Sequence, residues 1–360
     1  MILNKQKHFA VILGTRPNFV KAAPFFKESK RHPEFKFTVI HTGQHFDKNM
    51  SKLFFDEMNI PKPDILLNIR GMLHTEKIGK MFNKLNKFLA SQKFDGVIVF
   101  GDVNSTLAGA IASAKNNCKL IHIESGLRSY DRRMPEEINR VIVDHLSDLL
   151  FTTEPSANKN LIQEGISKSK IKYVGNIMIE SMEIFWNEIN NSKIMKKLKL
   201  NKKKYILSTI HRQENIDNLD ILKKLLILLN EINKNIPVIF PIHPGTKKKI
   251  IEYKLNNFLK DLTIIKPLGY FDFTKLLIES KGVITDSGGI QEETSHFGIP
   301  CCTLRDNTER PITLVMGSNK LFPIDLINIK DIKKHLNNKF KLKHIPLWDD
   351  KVSKRIFKYI

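Results

Sequence analysis

Short apolar runs alternate with helix-length amphipathic stretches along almost the whole chain, and this alternation limits the possible folds more than any other property. The candidate strands are "HFAVIL", "FKFTVI", "GVIVF", "KLIHI", "LLFTT" and "IKYVG" in the first half, then "KYILSTI", "PVIFPI", "LTIIKP", "GVIT" and "IPCCTL". Between them lie segments of helical period, such as "HTEKIGKMFNKLNKFLASQ" and "NLDILKKLLILLNEINK". Strand and helix in strict succession make βαβ units, hence parallel sheets covered by helices on both faces. The expected fold class is therefore α/β, with doubly wound parallel sheets. The 360 residues, 41% of them hydrophobic, suffice for two domains. The Lys- and Asn-rich "NNSKIMKKLKLNKKK" separates the two series, with the crossover placed slightly earlier, near "GNIMIES". This gives a first domain over 1–175 and a second over 176–344. Two such domains in tandem are expected to bind ligand in the cleft between them.

Composition removes several alternatives. No apolar run approaches the roughly 18–20 residues of a membrane span, and "HFAVILG" runs straight into "TRPN", so it reads as a first strand rather than a signal segment. Cys118, Cys301 and Cys302 have neither a disulfide framework nor metal-ligand spacing, which fits a reducing cytoplasm. The net charge of +22 raises the question of nucleic acid. Yet the lysines are scattered, with no zinc-finger spacing, RNP-like aromatic pattern or basic heptad helix. The charge reads as a positive field attracting small anionic substrates, without a nucleic-acid or membrane partner.

In open parallel sheets ligands bind beyond the carboxyl ends of the strands, and polar residues gather there in both halves. "AVIL" ends in Gly14-Thr15-Arg16, "FTVI" in His41, "GVIVFG" in Asp102 and "KLIHI" in Glu124. "YILSTI" ends in His211, "PVIFPI" in His243 and "GVIT" in Asp286-Ser287. One such residue is an ordinary helix cap; the series points to a site. In "GTRPNFVK", Arg16 and Lys21 lie near a helix start, where free N–H groups and the helix dipole favour anions. Neither a dinucleotide fingerprint nor a P-loop is present. In "VITDSGGIQEETSHFG", Ser287, Gly288 and Gly289 can turn their N–H groups on phosphate oxygens, and the missing side chains admit a ligand closely. Glu292 and Glu293 follow, and one carboxylate there can accept both ribose hydroxyls.

In "HIESGLRSYDRRMPEEINR", Glu124 ends a strand, an arginine-rich loop follows, and Pro135-Glu136-Glu137 opens a helix. First-turn acids are favourable in any helix. But Asp102 and Glu124 end successive strands and share one rim. Three acids would repel an anionic nucleotide unless they serve a centre that turns positive, as in glycosyl transfer or elimination. Arg128 in this loop and Arg212 in "TIHRQEN" are candidate substrate contacts. His211 reads as a phosphate contact or a proton donor to a leaving group. His41 and His45 sit at a strand end rather than along a helix, so no metal site is expected.

Together these blocks resemble the non-hydrolysing UDP-N-acetylglucosamine 2-epimerases. The matching segments are "GTRPNFVKAAP", "HTGQHFDKNMS", "GDVNSTLA", "HIESGLRS", "MPEEINR", "HRQEN", "TDSGGIQEE" and "RDNTERP", in the family's order over nearly the whole chain. The resemblance implies a glycosyltransferase-B type fold of two Rossmann-like domains, a homodimer, and a C-terminal segment (about 345–360) returning to the first domain. It implies elimination of UDP to give 2-acetamidoglucal, then re-addition after inversion at C2, without a nicotinamide cofactor. It also implies that Asp102, Glu124 and Glu136 are the catalytic carboxylates and that His211 assists UDP departure. Arg16, Ser287, Gly288, Gly289, Glu293 and Arg310 would hold UDP, Phe273 would lie beside the uracil, and Lys21 would support the active site. Gln44, Arg70 and His243 match the vicinity of an activating second UDP-N-acetylglucosamine in some bacterial members. Asn18, where many members have glutamate, and "NIRGMLHTEKIG" depart from the pattern. The expected reaction interconverts UDP-N-acetylglucosamine and UDP-N-acetylmannosamine for surface polysaccharide synthesis. The alternatives are a hydrolysing 2-epimerase, an epimerase of a modified N-acetylated UDP-sugar, a glycosyltransferase of the same fold, or a binding protein without catalysis.

Overall fold

The computed structural model describes residues 6–43, 55, 57–69, 74–341 and 344–360. The chain divides into two compact units, one of residues 1–184 with 346–360, the other of 185–345. The first thus runs past the 175 boundary expected from the sequence. The helix Ile177–Ile184 packs on the helix Arg16–Ser29, where the Ser181 hydroxyl donates to the Val20 carbonyl at 2.7 Å.

Among the described residues the first unit contains seven parallel strands: β1 (Lys7–Leu13), β2 (Phe35–His41), β3 (Ile65–Leu66), β4 (Gly96–Phe100), β5 (Leu120–Ser125), β6 (Leu149–Thr152) and β7 (Ile171–Tyr173). Their spatial order is β3-β2-β1-β4-β5-β6-β7. The second unit holds β8 (Ile206–Thr209), β9 (Val238–Pro241), β10 (Thr263–Ile265), β11 (Gly282–Thr285), β12 (Cys301–Thr303) and β13 (Asn319–Leu321), in the order β10-β9-β8-β11-β12-β13. All neighbours within each sheet run parallel. The chain winds outward one way from the first strand of each sheet, then returns to its other side. The reversal leaves a crevice at the carboxyl ends, between β1 and β4 in one sheet and between β8 and β11 in the other.

Both faces are covered at the centre of each sheet, so β4 (GVIVF) and β11 (GVIT) are buried at every position rather than on one face only. In the second sheet Ile206, Phe240, Ile284 and Cys302 feed one core, while Leu207, Ile239, Val283 and Cys301 feed the core on the opposite face. The period of two thus explains the adjacent cysteines. They point to opposite sides of β12 as small buried residues, and burial raises both thiols, Cys301 to about 11. The short edge strands β3 and β13 are absent from the sequence expectation; β3 is two residues long, and β13 opens on the polar pair Asn319-Lys320.

Candidate active site

In the first unit the polar residues converge on the crevice of its sheet. Asn18, in the first turn of the helix Arg16–Ser29, ties the two sides of the crevice together. Its Oδ1 accepts from the Gly14 and Thr15 N–H groups at 3.1 and 3.3 Å, and its amide donates to the Phe100 carbonyl at 3.0 Å. A carboxylate at this position could make only the accepting half. Arg16 is half-buried at the helix start. Lys21, one turn further on, is buried and ion-paired with Glu124.

Asp102 follows β4, and Glu124 is the last residue but one of the adjacent β5. Glu124 is a buried, non-glycine residue at φ +70°, beside a register shift between Ile123 and Ser125. Its backbone is in a region costly to L-residues, a cost characteristic of sites where a side chain must be aimed. Gly101 has φ +59°, and a Cβ there would come within 2.8 Å of the Lys21 Nζ. Asp102 remains partly open and receives a 2.5 Å bond from Arg140, a guanidinium buried in the helix Pro135–Leu146.

The neighbouring glutamates of that helix have different surroundings. Glu137 is buried, accepts from the Ser129 N–H and hydroxyl and the Tyr130 N–H, and pairs with Arg140 at 2.9 Å. Glu136 is half-buried and stays accessible to a ligand. Sequence reasoning missed Arg140, whose position three residues after Glu137 on a helix was the available signal.

Arg128 is a correction. Its guanidinium is buried and ion-paired with Asp144 and Glu164, at 2.7 Å each. Burial opposes its charge, but the two carboxylates outweigh that and raise its pKa. It ties the loop to Asp144 and Glu164, so its guanidinium is engaged within the protein rather than exposed. His41 is likewise structural. Burial lowers its pKa to about 4, and its Nδ1 accepts from the Gly43 N–H at 2.8 Å. Among the described residues no cluster suited to a metal occurs.

In the second unit the crevice is organised by Asp286, fully buried just beyond β11. Its carboxylate accepts from the His211 N–H, the Arg212 N–H at 2.9 Å and the Asn215 amide at 3.0 Å, and lies 3.2 Å from the His211 Nδ1. Burial alone would raise this carboxyl, but the charge and hydrogen bond of His211, then Arg212 and Asn215, hold it at about 2. The His211 ring stays exposed, its centre 6.0 Å from that of His243. Sequence reasoning saw Asp286 as a strand-end residue and missed its part in aiming His211.

Ser287 caps the helix Gly288–His296. The two glycines serve different ends. A Cβ at Gly289 would meet nothing within 4 Å, so that side is open to a ligand. A Cβ at Gly288 would lie 2.6 Å from the Arg310 Nη1 and 2.9 Å from the Glu309 Oε1. Gly288 thus makes room for Arg310, a different reason from the close ligand approach expected of it. Arg310 pairs with Glu292 at 3.0 Å and Glu309 at 2.8 Å, and Glu293 is buried in the same helix. Arg212 reaches Glu309 at 3.4 Å. Phe273, in the helix Tyr270–Glu279, is half-buried against the core beneath it. His243 is exposed and caps the helix Pro244–Glu252 through Gly245. Gln44, Arg70 and His45 lie outside the described residues.

Two doubly wound parallel sheets, each with its polar residues at the switch point, place the chain among α/β proteins of the glycosyltransferase-B type. A family model described as UDP-N-acetylglucosamine 2-epimerase matches residues 27–360. A UDP-N-acetylglucosamine 2-epimerase of Methanococcus maripaludis is 45% identical over 92% of this chain and 93% of its own. The UDP-2,3-diacetamido-2,3-dideoxy-D-glucuronate 2-epimerase of Pseudomonas aeruginosa is 41% identical over 86% of each. The crystal structure of the Methanocaldococcus jannaschii UDP-GlcNAc 2-epimerase in complex with UDP-GlcNAc and UDP superposes with a TM-score of 0.92 at 39% identity, covering 98% of this chain and 99% of that one. The chain belongs to the UDP-N-acetylglucosamine 2-epimerase family, and as an epimerase it is an isomerase.

Proposed function

We propose that the protein interconverts UDP-N-acetylglucosamine and UDP-N-acetylmannosamine by eliminating and re-adding UDP. A carboxylate takes the proton from C2, the bond from C1 to the UDP oxygen breaks, and a C1–C2 double bond forms, giving 2-acetamidoglucal and UDP. Protonation of C2 from the other face, with attack of UDP on C1, completes the inversion. Atoms and electrons balance without an oxidant or nicotinamide. The observation that carries this reading is the pair of acids at the carboxyl ends of adjacent strands, Asp102 held by Arg140 and Glu124 held by Lys21. Acids so braced can accept a proton and stabilise positive charge developing at C1.

Glu136 is the third acid of this set. His211, aimed by Asp286, assists the departing diphosphate, helped by Arg212. Ser287, Gly288, Gly289, Arg16 and Arg310 hold UDP, Glu293 its ribose, and Phe273 flanks the uracil. On the same resemblance we infer a homodimer acting in the cytoplasm and supplying surface polysaccharide synthesis.

Incubation with UDP-N-acetylglucosamine alone tests the reading. An equilibrium mixture of two intact UDP-sugars is expected. Stoichiometric free N-acetylmannosamine would contradict it in favour of hydrolysis, and no reaction until an acceptor is added would favour transfer. The 41% identical relative named for a diacetamido-glucuronate sugar supports a second reading, a modified N-acetylated substrate. Competition between the two UDP-sugars, read as kcat/KM, separates them.

A further inference from the structure

We propose that His122 is a positioning residue that locks the Asp102 and Glu124 turns in register. This rests on the reading of those two acids as catalytic.

His122 lies in β5, two residues before Glu124, and is fully buried. Both ring nitrogens are engaged: Nε2 is 2.8 Å from the Gly101 carbonyl oxygen and Nδ1 2.7 Å from the Asp144 Oδ1. A carbonyl only accepts. Burial would raise the Asp144 carboxyl, but the hydrogen bond and charge of His122, then those of Arg128, keep it below the usual carboxylate range. It is therefore an ionised acceptor as well. The ring Nε2 therefore donates to Gly101, and the Nδ1 side is held by the Asp144 carboxylate.

Each contact fixes one turn. The Gly101 carbonyl belongs to the peptide unit that leads into Asp102, and the Gly101 N–H donates to the Ile123 carbonyl at 2.9 Å. Residues 122 and 123 thus hold both polar groups of this left-handed turn. On the other side, Asp144 accepts from the Gly126 N–H at 3.0 Å and pairs with Arg128. The chain is therefore pinned before and after Glu124, the residue with φ +70°. Asp144 thus joins His122 and Arg128, and Arg128 carries the link on to the partly exposed Glu164. Buried ion pairs bring little net stability compared with apolar packing; here the return is geometry. A misplacement of about 1 Å can cost on the order of a hundredfold in rate.

The His122→Gln variant tests this. Glutamine can donate to Gly101 or to Asp144 but not to both, while Asp144 keeps Arg128 and Gly126. We expect kcat to fall about ten- to a hundredfold, with KM for UDP-N-acetylglucosamine and the Kd for UDP within about twofold. Nitrogen-15 NMR of the wild-type chain should find a hydrogen-bonded proton on the His122 Nε2. Wild-type kcat in His122→Gln, or a raised KM with unchanged kcat, overturns the inference provided Glu124→Gln is inactive. A fully active Glu124→Gln instead overturns the catalytic reading beneath it. If His122→Gln does not fold, the NMR measurement decides, since an unprotonated Nε2 removes the bond to Gly101 and with it the clamp.

Discussion

Glu124 combines a left-handed backbone with a buried ion pair, a combination a chain would not keep for stability. Strain of this kind costs of the order of 1–3 kcal/mol. Replacing the charge while keeping the shape should separate aim from chemistry. Glu124→Gln and Asp102→Asn are expected to lose about 10²- to 10⁴-fold in turnover while binding UDP as the wild type does by calorimetry; near-normal rates would remove both acids from the mechanism. Asp286 gives a pH signature. Its carboxyl is held at about 2 in the folded state, below its ordinary value near 3.8. It therefore adds stability above pH 4 that disappears as pH falls toward 2, about 2 kcal/mol. Urea melts across that interval should show the loss in the wild type and its absence in Asp286→Asn. At this scale the sequence pointed to the right strand ends, but not to the partners. Glu136 and Glu137 look alike in "MPEEINR", and only the placement of Ser129, Tyr130 and Arg140 sets them apart. Arg128 misled because a charged residue in a polar loop gives no sign of being buried.

The C-terminal helix Val352–Phe357 is the element with the clearest structural purpose. Phe357 stacks on Phe25 and His32, with ring centres 4.8 and 4.5 Å apart, and Trp348 donates to the Thr153 carbonyl. Phe357→Ala is expected to cost about 3–5 kcal/mol, seen as a lower melting point of the first unit. Glu180 faces the same helix and accepts from the Ser353 N–H and hydroxyl. Burial raises its carboxyl to about 7 against these hydrogen bonds and the charge of Arg355. Folding therefore keeps a proton that the unfolded chain gives up near pH 4.5. Stability linked to Glu180 is full below that pH and is lost as pH rises through about 7, by about 3 kcal/mol. Glu180→Gln should flatten that slope in denaturant melts; an unchanged slope would contradict the assignment. Strand positions were legible because both sheets are buried on two faces and write continuous apolar runs. β3 and β13 were not, since two residues, and a three-residue stretch that opens on Asn-Lys, write no such run.

At the scale of the whole molecule, the proposed function puts most of the UDP contacts on the second unit and the sugar chemistry on the first. The repeated topology was readable because βαβ succession dictates it. The crossover at residue 184 was not, because the packing of one helix on another decides it. The net charge of +22 should speed capture of the anionic substrate. Raising the salt concentration is accordingly expected to lower kcat/KM with little change in kcat, whereas tight, salt-sensitive RNA binding would favour a different partner. Proton exchange at C2 of an intact UDP-sugar is the central claim, and NMR in heavy water measures it directly. Deuterium at C2 of both UDP-N-acetylhexosamines is the predicted result; epimerised UDP-sugar retaining hydrogen at C2 would contradict the account.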